Sequence, residues 1–174
     1  MPDLCLSWSE YHQKIETLAA KIYQAHWDFN QIVCLAKGGL RVGDILCRIY
    51  QKPLAILSVS SYRGAENRVR SSIKFASHLT MTTEQLGSRI LLVDDLVDSG
   101  ISLQETIKWL QQYYGEVIKE IHTGVIWYKS SSILIPDYYV DYLPDNLWVY
   151  QPFERYEHMN PAELAVTETI LPYN

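Results

Sequence analysis

Apolar residues follow two kinds of pattern along this chain. Near the start, Ser7-Trp8-Ser9-Glu10 has capping-box spacing, a hydroxyl residue followed three positions later by Glu. Tyr11, Ile15, Leu18 and Ile22 then recur at steps of four, three and four. That spacing predicts one buried face of a helix ending near Trp27. Elsewhere the apolar residues come in short runs, unbroken at 32–36 and 90–93 and interrupted by small or polar residues at 54–60 and 121–128. Runs of this length, with β-branched members and no alternation, predict strands buried on both faces. Helical stretches separate them. One follows Lys37-Gly38-Gly39 to about Tyr50, and another carries Leu103, Ile107, Leu110 and Tyr114 before Gly115. Short strands are expected at 138–140 and 147–150. Strands alternating with helices predict an α/β fold around a parallel sheet. With no repeat, low-complexity tract or linker in view, the pattern predicts one domain over residues 1–174, with an appended subregion from about residue 140.

Residues 61–88 break the pattern. The segment is polar and holds Arg63, Arg68, Arg70 and Lys74, with room for a weak hairpin. It is long for an idle connection, and long loops are often lids or binding loops. A solvated insertion fits the pattern equally well.

The densest chemistry lies in 90–102, ILLVDDLVDSGIS. A buried strand meets Asp94 and Asp95, then a loop with Asp98, Ser99, Gly100 and Ser102, then a helix. In open α/β sheets ligands bind where strands end and helices begin. The amides of a helix start favour an anion such as phosphate. Gly100 permits close backbone approach, and the serines offer hydroxyl donors. Carboxylates beside a phosphate make sense if they accept hydrogen bonds from sugar hydroxyls or hold a metal. The plainer alternative is that they cap the next helix. An apolar run before Asp-Asp also suits a nucleotide triphosphatase, but the GxxxxGK[ST] loop such a protein needs is absent.

Charge and composition narrow the picture. A formal net charge of −5 gives no electrostatic reason to expect nucleic acid. No apolar stretch approaches a membrane span, and the N-terminus has no secretory pattern, so a cytoplasmic protein without integral membrane association is expected. Cys5, Cys34 and Cys47 show no CxxC pairing and are expected to be reduced, buried or half-buried thiols. His12, His26, His78, His122 and His158 lack metal-ligand spacing. Several of the 13 tyrosines cluster between 113 and 156, which suggests an aromatic subunit interface.

The run LLVDDLVDSGIS resembles the phosphoribosyl-diphosphate (PRPP) signature of the type I phosphoribosyltransferases. IVCLAKGGLRVG is similar to the family's first loop, which grips diphosphate. Ser61-Tyr62 resembles the opening of the mobile catalytic loop of its purine members. Tyr128-Lys129, Pro136-Asp137-Tyr138-Tyr139 and LWVYQPFE resemble the base-binding end of bacterial xanthine-guanine and archaeal-type purine enzymes. Matching pieces span nearly the whole chain.

The resemblance implies a type I phosphoribosyltransferase fold with a mobile catalytic loop and a C-terminal base-binding subregion. It implies transfer of ribose 5-phosphate from PRPP to a 6-oxopurine, with Mg2+ as cofactor, in a homodimer or homotetramer. Asp94 and Asp95 would hold the ribose hydroxyls, directly or through magnesium. Asp98, Ser99, Gly100, Ile101 and Ser102 would cradle the 5-phosphate, and Asp98 would also manage a proton near N7 of the base. Lys37, Gly38 and Arg68 would bind diphosphate. Lys129 would contact the oxygen at position 6, and Trp148 and Val149 would bind the base, with Trp148 stacked on it. Taken alone, Lys129 reads as a solvated surface lysine and Trp148 as core. Several positions depart from the family pattern. Lys37 stands where Arg is frequent, Phe153-Glu154 replaces Trp-Asp, Ile101 replaces a Gly, and 63–88 matches poorly past Arg68. A binding protein without turnover, or a transferase for another acceptor, remains the alternative.

Overall fold

The computed structural model describes residues 3–61, 73–144 and 147–168. It divides into two compact units, Lys14–Asp145 and a smaller one built from Met1–Gln13 with Asn146–Asn174.

The larger unit is an α/β sheet. In chain order its elements are β2 (Gln31–Ala36), α2 (Gly39–Tyr50), β3 (Leu54–Ser61), β4 (Ile73–Phe75), β5 (Thr80–Met81), β6 (Arg89–Val97), α3 (Ile101–Tyr114), β7 (Glu120–Lys129) and β8 (Tyr138–Leu143). The order across the sheet is β4-β3-β2-β6-β7-β8, with β5 also paired to β3. β2, β3, β6, β7 and β8 run parallel, whereas β4 and β5 pair antiparallel with β3. The two short strands fall in the segment that broke the apolar pattern. Their few residues pair along one edge, where less of each strand is buried than in the interior strands. The core is what the short apolar runs predicted. Val33, Leu57, Leu92 and Val125 are fully or almost fully buried and belong to one cluster with residues of α3.

Helix α1 (Trp8–Gln24) crosses from the smaller unit into the larger. Its capping box forms as expected: the Ser7 amide donates to Glu10 Oε2 at 2.8 Å, and the Glu10 amide donates to Ser7 Oγ at 3.3 Å. Ile15, Leu18 and Ile22 are fully buried. The helix stops at Gln24, short of Trp27. His26 adopts a left-handed φ of 53°, and the Trp27 ring instead stacks on His122 with centroids 3.8 Å apart.

In the smaller unit, β1 (Leu4–Cys5) pairs in parallel with β9 (Val149–Tyr150). The Leu4 amide donates to the Trp148 carbonyl and the Leu6 amide to the Tyr150 carbonyl. The Phe153 ring meets Tyr11 edge-on at 5.7 Å. A 3-10 turn (Glu154–His158) and helix α4 (Pro161–Glu168) follow.

The thiols differ from one another. Cys34, inside β2, is buried, and burial followed by the nearby charge of Asp94 pushes its pKa up to about 12. Cys47 is partly buried, and burial raises its pKa as well. Cys5 is exposed, against the sequence expectation, because it sits in a two-residue strand with too little structure around it to cover a side chain. Since the thiolate is the reactive form, a thiol reagent should label Cys5 in the native protein. Cys34 should be labelled only after denaturation. Peptide mass spectrometry of the two samples checks this, and rapid native labelling of Cys34 would contradict the burial.

Candidate active site

The site is made by strands of unequal length. β2 pairs with β6 only as far as Cys34↔Val93, but β6 continues beside β7 through Val97↔Tyr128. The sequence placed the end of this strand at the acid pair. The ladder to β7 carries it past Asp94 and Asp95, because Trp127 and Tyr128 supply partners where β2 has none. The acids therefore stand at the carboxyl edge of the sheet, where open α/β folds bind ligands.

The turn leaving β2 closes on them. A Cβ at Gly38 would run into the Asp95 carboxylate, and one at Gly39 would lie 2.8 Å from the Val93 carbonyl oxygen and 3.0 Å from Asp94 Cα. These two glycines let one loop lie against the other, which no larger residue permits. The Ala36–Lys37 peptide is cis, and Lys37 is exposed at the tip of the turn. Asp94 Oδ1 accepts the Asp95 amide at 2.9 Å, and the Gly39 amide also donates to this carboxylate. Asp95 Oδ1 accepts the Leu96 amide at 2.8 Å. Burial, and then the adjacent charge of Asp95, hold Asp94 well above the usual carboxylate range. Asp94 is thus a buried carboxyl beside a second one, a place that favours its uncharged form.

Below the acids lies a cavity of about 120 Å³, lined by Asp94, Asp98, Ser99, Gly100 and Ser102 among others. Gly100 has φ 78°, the left-handed region that glycine enters without strain. α3 begins immediately after it. The first-turn amides of a helix have no acceptor within the helix, and its dipole favours negative charge there. Donors at the floor and carboxylates at the rim suit a phosphorylated sugar.

Lys129 ends β7, next to the point where β6 gives way to the loop. It is only 4% exposed, so the reading as a solvated surface lysine falls. Its Nζ lies 3.4 Å from Asp98 Oδ1, and the Asp98 side chain is 52% exposed. A buried ammonium is costly unless compensated, and here it is held against a carboxylate that faces solvent.

A parallel sheet with paired acids beside a glycine-bearing loop at a helix start, and a turn carrying Lys37 pressed against them, suits a protein that handles a phosphorylated sugar. The phosphoribosyl transferase domain model matches residues 7–158, and the chain belongs to that family. It is 27% identical over 154 residues to the xanthine-guanine phosphoribosyltransferase of Gluconobacter oxydans, covering 86% of this chain and 83% of that one. It is also 27% identical to the enzyme of the same name from Idiomarina loihiensis, with 88% of each chain covered. Among solved structures, the purine phosphoribosyltransferase of Pyrococcus horikoshii superposes with a TM-score of 0.71 at 25% identity, covering 88% of this chain and 94% of that one. The Helicobacter pylori xanthine-guanine-hypoxanthine phosphoribosyltransferase shares the fold, with a TM-score of 0.70 at 20% identity over 97% of this chain and 99% of that one.

The larger unit gathers Gly38, Asp94 and Asp95 at the rim, Asp98, Ser99, Gly100 and Ser102 at the cavity, and Lys129 against Asp98. Ile101, 40% exposed, begins α3. Arg68 and Tyr62 lie outside the described residues. Trp148 and Val149 belong to the smaller unit. Trp148 is 49% exposed with its ring 6.3 Å from that of Tyr150, so it is not a core residue. Sequence reading passed over Ser131, Ser132 and Leu134, which touch the phosphate loop. A run of three serines reads as an ordinary loop, and no local pattern marks a contact made 33 residues away.

Proposed function

We propose that this protein transfers ribose 5-phosphate from PRPP to a 6-oxopurine, giving the nucleoside 5′-monophosphate and diphosphate. The observation that carries the choice of base is the pairing of buried Lys129 with half-exposed Asp98 at 3.4 Å. A 6-oxopurine presents O6 and N7 side by side on one edge. A lysine meets O6 as a donor, and a carboxylate beside it meets a proton on N7. With that proton on N7, the lone pair of N9 is free to attack the anomeric carbon. The bond to diphosphate breaks with its electron pair staying on the leaving oxygen, and Asp98 takes the N7 proton. Adenine carries an amino donor where O6 stands, so Lys129 disfavours it.

Asp98, Ser99, Gly100, Ile101 and Ser102 would hold the 5-phosphate, while Lys37, Gly38 and Arg68 would hold the diphosphate. Trp148 and Val149, in the smaller unit, are the further residues assigned to the base. Asp94 and Asp95 fit magnesium. The two residues are adjacent at the carboxyl edge of the sheet, and Mg2+ characteristically uses one or two carboxylates with waters and substrate oxygens. When bound there, the metal would supply positive charge against the departing diphosphate. No described helix is long and apolar enough to cross a membrane, and we place the protein in the cytoplasm with its charged substrates. The exposed Tyr113, Tyr142 and Tyr156 support assembly as a homodimer or homotetramer.

Initial rates with PRPP, magnesium and each of guanine, xanthine, hypoxanthine, adenine, uracil and orotate test the reading. Turnover is expected with at least one 6-oxopurine, and adenine should be slower by roughly 10²-fold or more. Tight PRPP binding with no turnover of any base would replace the enzyme reading with that of a binding protein.

A further inference from the structure

We propose that residues 130–134, the start of the loop after β7, are a positioning element for the phosphate loop, with Ser131 as its side-chain contact. The inference rests on the PRPP reading above. Three contacts carry it. Ser131 Oγ donates to the Asp98 carbonyl at 3.3 Å. The Ile133 amide donates to the Ser99 carbonyl at 3.0 Å. The open side of Gly100 faces Ser132 Oγ and the Leu134 amide, the latter 3.0 Å from where a Cβ would sit.

Phosphate is gripped by N–H and O–H donors, and a carbonyl oxygen turned toward it repels it. The Asp98 and Ser99 carbonyls head the loop that lines the cavity. Both are taken up by residues 131 and 133, so their oxygens point toward that neighbouring loop. The peptide units that follow are thereby fixed in orientation, and Gly100 can hold its left-handed turn against the serine hydroxyl.

The clamp is itself braced. Ser132 Oγ donates to the Leu134 carbonyl at 2.6 Å and accepts the Leu134 amide at 3.2 Å. The Ser132 amide donates to the Lys129 carbonyl, and the Ser130 amide donates to the Leu143 carbonyl. At the far end the Asp137 carboxylate accepts both the amide and the hydroxyl of Thr123 at 2.7 Å. A short loop tied at both ends can set the geometry of another loop, as catalytic sites require of their supporting residues. Serine at 131 and an amide at 133 are the two features that the role needs.

Calorimetric titration with PRPP and magnesium, alongside steady-state kinetics, tests the role. Ser131→Ala should raise the Kd and KM for PRPP by about 3- to 10-fold, the loss of one hydrogen bond. The kcat at saturation should change less than KM does, because Ser131 meets Asp98 only at its backbone carbonyl and no side chain at the reacting atoms is substituted. Ser131→Thr, which keeps the hydroxyl, should restore wild-type affinity. Ile133→Pro, which removes the amide donor, should weaken PRPP more than Ile133→Ala does. If wild type binds PRPP and both Ser131→Ala and Ile133→Pro bind it equally well, the positioning role is overturned while the functional reading stands. If Ser131→Ala lowers kcat and Tm together and Thr does not restore them, the loop is merely structural and the proposal fails. If wild type itself does not bind PRPP, the functional reading fails first.

Discussion

Asp98→Asn is expected to lower kcat/KM for the preferred 6-oxopurine by about 10²- to 10⁴-fold, the range typical of losing a positioned proton acceptor. The amide keeps the size and can still donate or accept a hydrogen bond, but it cannot take a proton from N7. It also removes the negative charge 3.4 Å from Lys129 Nζ. Stability should fall as well, because the buried Lys129 ammonium loses the negative charge held against it. PRPP binding should survive, since four of the loop residues assigned to the phosphate are unaltered. Steady-state kinetics with calorimetric PRPP binding and a melting curve separate these effects. A variant within tenfold of wild type, with normal PRPP affinity, would remove Asp98 from the proton transfer.

Asp94→Asn is expected to do the opposite of most active-site substitutions and raise the melting temperature while weakening function. Burial and the neighbouring Asp95 charge hold the Asp94 carboxyl well above its usual range. An unfolded Asp titrates near about 3.9. Between that value and the raised folded value, the folded chain keeps a proton that the unfolded chain has released. Stability therefore falls as pH rises through this window, and it stays lowered above it. Asn has no charge to bury, so the variant should melt higher than wild type at neutral and alkaline pH. The difference should shrink as pH falls toward 4. PRPP affinity should drop by roughly 10- to 150-fold, the weight of a hydrogen bond to a charged group. Melting curves from pH 4 to 8, with and without PRPP and magnesium, check both parts. A variant that melts lower than wild type at pH 7.5 would show that the Asp94 charge is already compensated in the free protein.

Much of this fold was legible because buried parallel strands leave an unmistakable trace. The 32–36 and 90–93 runs have no polar residue, and a strand covered on both faces needs none. The Ser7–Glu10 capping box was equally plain, since its partners lie three residues apart and close on each other wherever the helix starts. Other boundaries were not legible. β6 ran beyond its apolar stretch because β7 was there to pair with Asp94, Leu96 and Val97. The exposure of Cys5 also escaped the sequence, which cannot tell how much structure surrounds a two-residue strand.

By itself the sequence determined the order of the buried strands and the helices between them, the acid pair, the glycine-bearing loop after it and the family they resemble. Each of these is written in consecutive residues, where spacing along the chain is spacing in space. The tertiary structure decided what meets what. It pressed Gly38 against Asp95, buried Lys129 while bringing it to Asp98, and laid Ser131 and Ile133 on the carbonyls of the phosphate loop. It also raised the Asp94 carboxyl above its usual range, because only packing sets how far a carboxylate is removed from water. Such contacts join strands distant in sequence but adjacent in the sheet, and no local pattern encodes them.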